Sequence, residues 1–76
     1  MPVILRYKNI KIIIYPQDHA PPHVHVIAPD CEAKFYIDPV ECYFCRGFKE
    51  KFINEMTEYL SDKKELLMEA WNEYQK

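Results

Sequence analysis

In Val40-Glu41-Cys42-Tyr43-Phe44-Cys45-Arg46-Gly47-Phe48-Lys49-Glu50-Lys51-Phe52-Ile53-Asn54-Glu55-Met56 the spacing of apolar residues changes character. Before Gly47, the residues Val40, Cys42 and Phe44 recur at the two-residue period of a strand and are placed to point inward from a short edge strand. After it, Phe48, Phe52, Met56 and Leu60 recur every fourth residue, with Ile53 and Tyr59 beside them, as on an amphipathic helix. Gly47, the only glycine, separates the two patterns. Strands therefore belong to the N-terminal side of this stretch and helices to the C-terminal side.

Toward the N-terminus, Val3-Ile4-Leu5-Arg6-Tyr7 and Ile10-Lys11-Ile12-Ile13-Ile14-Tyr15 are rich in β-branched and aromatic residues, and Lys8-Asn9 separates them. This pattern predicts a β-hairpin in which Asn9 tolerates the positive φ of a tight turn. Ile10, Ile12 and Ile14 share one face; Lys11, Ile13 and Tyr15 share the other, which is only partly wet. Pro16, Pro21 and Pro22 make the next segment a stiff loop, because each proline lacks a ladder N–H and fixes φ. A second hairpin follows, His23 to Ile27 pairing with Glu32 to Asp38 across the turn Ala28-Pro29-Asp30-Cys31.

Toward the C-terminus, Leu66, Leu67, Ala70, Trp71 and Tyr74 form a second apolar stripe. Asp62 and Glu65 have capping-box spacing, so either a new helix starts there or one helix kinks. Strands and helices in separate blocks predict an α+β fold: an antiparallel sheet of two β-hairpins, with a short fifth strand allowed, packed by two C-terminal helices or one kinked helix. The 76 residues suffice for a single domain, residues 1–76.

The chain is 49% apolar with a net charge of −2, the composition of a folded globule. Residues 1–47 carry five basic and five acidic side chains, and residues 48–76 five basic against seven acidic. Neither half is basic, which disfavours nucleic acid as the main partner. No apolar run exceeds the length of Ile12 to Tyr15, far shorter than the ~20 residues of a membrane span. No secretory signal precedes the first strand, so a cytoplasmic location and reduced thiols are expected for Cys31, Cys42 and Cys45. In a regular strand Cys42 and Cys45 would face opposite sides, against joint chelation. One glycine excludes the glycine-rich phosphate and dinucleotide loops. Ser61, the only serine, sits at a helix boundary where capping accounts for it.

The chemistry-bearing cluster is Asp18-His19-Ala20-Pro21-Pro22-His23-Val24-His25, which holds all three histidines. On an extended strand His23 and His25 project from one face, close enough to share an ion. His19 or Asp18 would supply a third ligand and leave a position for water, so Asp18, His19, His23 and His25 are the candidate metal ligands. Imidazole donors suit a divalent transition metal such as zinc, and bound water would then serve hydrolysis. Metal-free acid–base work by His19, His23 and His25, paired with Asp18, Glu32 or Asp38, is the related alternative. Against both stands a structural role, with the histidines stacked on Tyr15 or Tyr36.

Asp18-His19-x-Pro21-Pro22-His23-x-His25-Val26, then Glu32-Ala33-Lys34-Phe35, and at the end Glu65-Leu66-Leu67-x-x-Ala70-Trp71, resemble the bacterial family known as domain of unknown function 4160. The similarity runs from Met1-Pro2-x-x-Leu5-Arg6 to the tryptophan helix and implies a stand-alone member, bacterial or phage-borne. Cys42-x-x-Cys45 lies outside the family pattern. The resemblance implies a protein-binding component of a two-gene, toxin–antitoxin-like module, partnered by a small neighbour-encoded protein of domain of unknown function 2442 type. The alternative is a hydrolase, an RNase-like toxin using the His19, His23 and His25 cluster. A homo-oligomer is compatible with either reading.

Overall fold

The computed structural model describes residues 3–16 and 19–74. Five strands come first: β1 (Val3–Tyr7), β2 (Ile10–Ile13), β3 (His23–Ala28), β4 (Cys31–Ile37) and β5 (Val40–Arg46). Helices α1 (Glu50–Asp62) and α2 (Lys64–Tyr74) follow. Every strand pairs antiparallel with its neighbour in sequence, giving the spatial order β1-β2-β3-β4-β5. The fold is α+β, and the fifth strand forms. No helix among the described residues is long and apolar enough to cross a membrane.

Alternation along the strands sorts side chains onto two faces. Ile10, Ile12, Ile14, Val24, Val26, Ala33, Phe35 and Ile37 line the inner face, all buried. Met56 and Leu60 of α1, with Leu67 and Trp71 of α2, close over them in one core cluster. Two registers depart from regularity, and the second matters more. The β4–β5 ladder pairs Phe35 with Cys42 but Lys34 with Phe44, so Tyr43 is the extra residue of a β-bulge.

That bulge overturns two expectations. Phe44 does not point inward: it lies opposite Lys34 on the outer face and is 39% exposed. Cys42 and Cys45, expected on opposite sides, lie opposite Phe35 and Ala33 and therefore share the inner face. Cys42 is half-buried against the core, and that burial pushes its thiol up from the ordinary value. In the first hairpin it is Lys8, not Asn9, that carries the positive φ, at 57°.

The C-terminal half is two helices rather than one kinked helix. Lys63 separates them, its N–H donating to the carbonyls of Leu60 and Ser61 while its own carbonyl accepts the Leu67 N–H at 2.9 Å. Lys63 thus fills the position assigned to Asp62, which ends α1 instead. Ser61 is no cap either, since its hydroxyl donates back to the Thr57 carbonyl at 2.8 Å. Leu66, placed in the apolar stripe by spacing, is 44% exposed; Leu67 and Trp71 carry the contact with the core.

One polar clasp joins the first hairpin to α1. The Tyr7 hydroxyl donates to the Glu55 carboxylate, Lys8 Nζ lies 3.2 Å from the same oxygen, and Tyr7 packs on Tyr59 at 4.5 Å between ring centroids. The Tyr7 hydrogen bond, then Lys8, hold the Glu55 carboxyl below the usual carboxylate range. Its folded form therefore gives up the proton more readily than the unfolded chain. The stabilisation is complete above the unfolded value and fades as pH falls through the lowered folded value. Glu55→Gln is expected to lower the urea midpoint at pH 7, with the gap to the parent closing as pH falls through and below the ordinary carboxylate range. A gap unchanged across that range would remove the clasp from the stability balance.

Candidate functional site

The histidine segment enters the sheet from the proline loop. Residues 17–18, and with them Asp18 among the candidate ligands, lie outside the described residues. His19 is exposed in the loop, and the Ala20–Pro21 and Asp38–Pro39 peptide bonds are cis. The Pro22 carbonyl accepts the Ile37 N–H at 3.1 Å, which fixes the start of β3 beside the end of β4. His23 and His25 then leave β3 on the outer face while Val24 and Val26 are buried on the inner one.

The two rings lie 5.4 Å apart between centroids, as the strand spacing predicts. The His23 Nδ1 is 2.9 Å from the Pro21 carbonyl oxygen. A carbonyl only accepts, so Nδ1 is the donor in this contact. His23 also touches Trp71 at 5.2 Å and Tyr43 at 6.3 Å, and Tyr43 stacks on Tyr36 at 4.2 Å. His25 meets the edge of Tyr15 at 4.6 Å, leaving its side chain 13% exposed, and its Nδ1 lies 3.9 Å from Glu32. Both histidines are thus packed against other rings, and His23 touches the helical layer through Trp71.

Among the described residues, no three His, Cys, Asp or Glu side chains gather as a set able to hold a metal ion. Surface hollows of about 300 Å³ and 440 Å³ lie elsewhere, one lined by Asn9, Lys11, Ile27, Ala28 and Pro29, the other by Lys64, Glu65, Met68, Glu69 and Asn72. Neither is lined by a histidine.

The more extensive feature is the outer face itself. One row of the ladder runs Arg6, Lys11, Ile27, Glu32, Arg46; the next runs Ile13, His25, Lys34, Phe44; a third runs His23, Tyr36, Glu41. Lys34 Nζ sits 5.0 Å over the Phe44 ring, and Arg46 lies 3.6 Å from Glu32. Arg6, Lys11, Lys34 and Arg46 outnumber Glu32 and Glu41 here, although each half of the sequence is neutral or acidic. Sequence reading found the histidines but missed Tyr43, Phe44 and this sorting of charge by face. The alternation rule would have shown the charge rows once the strand registers were known; nothing in the residue order announces the bulge.

In comparison with known proteins, the model of the family described as Domain of unknown function (DUF4160) matches residues 9–72, from the first turn into α2. Neither a curated protein nor a solved structure matches the chain.

Proposed function

Because the chain belongs to the Domain of unknown function (DUF4160) family, we propose that it is the binding component of a two-gene, toxin–antitoxin-like module, holding a small neighbour-encoded protein of domain of unknown function 2442 type against the outer face of its sheet. The observation that carries this reading is the aromatic corner of that face. Tyr43 is 42% exposed and Phe44 39% exposed, side by side on an edge strand, with Tyr36 stacked beneath Tyr43 and cationic Lys34 and Arg46 around them. Exposed aromatics ringed by polar groups are the usual anchors of protein interfaces. Pro21 and Pro22, immediately before His23, add a rim whose fixed φ loses little entropy on binding.

Hydrolysis by His19, His23 and His25 draws less support from the geometry. His25 is packed against Tyr15 and His23, and the His23 Nδ1 is turned to the Pro21 carbonyl.

Co-expression of the chain with the neighbouring gene product tests the binding reading. A complex of fixed ratio is expected, and Tyr43→Ser with Phe44→Ser should weaken it about 30-fold or more, the loss expected for an aromatic anchor. The double variant should keep the parent's circular dichroism. Separate elution of the two proteins at micromolar concentration would defeat the reading.

A further inference from the structure

β5 ends the sheet, so among the described residues no strand occupies its second edge. Seven residues long and carrying two exposed aromatics, it is the kind of edge that natural proteins usually blunt or pair. The bulge gives it an unusual property. Consider a two-fold axis passing between Tyr43 and Phe44: it relates position 41 to 46 and position 42 to 45. In a regular strand, residues separated by an odd number of positions lie on opposite faces and could not meet across such an axis.

Here the extra residue restores the match. Glu41 and Arg46 lie opposite Tyr36 and Glu32, both on the outer face, while Cys42 and Cys45 lie opposite Phe35 and Ala33, both on the inner face. Tyr43 stacks on outer-face Tyr36, and Phe44 lies over outer-face Lys34. From residue 41 to residue 46 the facing order is out, in, out, out, in, out, which reads the same in both directions.

We propose that a second copy of this chain docks on β5 about that axis, joining two sheets edge to edge into one continuous antiparallel sheet. Each Glu41 then opposes the second copy's Arg46, each Cys42 the second copy's Cys45, and each Tyr43 the second copy's Phe44. The charged pair is complementary and forms twice. Arg46 is free to serve it, with a 70% exposed side chain held only by a 3.6 Å contact with Glu32. The extra residue of one strand, Tyr43, meets Phe44 of the other on the outer face, so the two bulges lie beside one another about the axis. The interface is isologous and closes on itself, leaving no open edge to propagate fibres at β5. This assembly shares Tyr43 and Phe44 with the neighbour-binding reading but involves the chain alone, so its test on the purified chain fails or succeeds without the neighbour.

Sedimentation equilibrium of the purified full chain, from micromolar to near-millimolar concentration, tests it. A species of twice the 9.2 kDa chain mass is expected to grow with concentration. Glu41→Arg, and separately Arg46→Glu, set like charges opposite one another twice and should raise the dissociation constant about tenfold. The double variant Glu41→Arg/Arg46→Glu restores opposite charges across the axis and should return it to within about threefold of the parent. A constant mass of 9.2 kDa for the parent chain would overturn the proposal. So would a dimer indifferent to both single changes, or one that the double change fails to restore.

Discussion

Phe35→Ala should remove most of the chain's stability, whereas Phe44→Ala should remove little. Phe35 is fully buried at the centre of the inner face, in a strand flanked on both sides by others. Truncating such a ring costs about 3–5 kcal/mol, because the lost transfer energy is compounded by a cavity the sheet cannot collapse to fill. A domain of this length holds only about 4–11 kcal/mol in total at ordinary per-residue stability. Phe44 has the same side chain nine residues later, yet it lies on the outer face at 39% exposure, where a truncation costs about 0.5–1 kcal/mol. Urea unfolding of the two variants is the measurement. The Phe35→Ala midpoint should fall by half or more while that of Phe44→Ala stays near the parent's. Comparable losses would mean that the β-bulge is misplaced, since both phenylalanines would then face the core.

The second large effect is at Gly47. Its φ of +92° lies in the region that side-chain-bearing residues rarely adopt, and a Cβ built there would lie 2.9 Å from Cys31 Sγ and 3.2 Å from the Asp30 carbonyl oxygen. Gly47→Val adds a branched side chain to a position that is both strained and occupied, at a cost of about 2–3 kcal/mol. In a domain this small that corresponds to a fall of roughly 10–20 °C in melting temperature. Cys31→Ala removes the thiol from the collision but leaves the Asp30 backbone oxygen and the positive φ in place. The double variant should therefore recover only a small part of the loss. Full recovery would assign the whole effect to the thiol; an unchanged melting temperature in Gly47→Val would remove the constraint altogether.

These two positions show what the residue order discloses and what it withholds. Alternation is a local signal, so both hairpins, the buried face of Ile10, Ile12 and Ile14, and the helical period after Gly47 can be read from near neighbours in sequence. The same holds for His23 and His25 on one face, which needs only an extended strand. A β-bulge is different, because it is a relation between two strands. Alternation counted through Tyr43 therefore turns Phe44 inward and sets the two cysteines apart, both contrary to the fold. Leu66 and Asp62 fail for a related reason: their roles depend on where α2 begins, and that follows from the turn at Lys63 rather than from stripe spacing. At the site, the rings around His25 come from Tyr15 and from β3 itself, while the contacts of His23 with Tyr43 and Trp71 are tertiary and leave no trace in local order.

The order of strands in the sheet is the order of strands in the chain. Each pairing therefore closes a short loop, the longest being the segment from Ile14 to Pro22, and the entropy lost in closure rises only slowly with loop length. A meander of this kind has low relative contact order for a β-containing protein, which places it toward the fast end of such folds. The sheet can grow by zippering, one hairpin upon the last, as the strands leave the ribosome. The apolar face so assembled is covered by α1 and α2, which follow the sheet in the chain, so the C-terminal helices complete the core rather than interrupt the ladder.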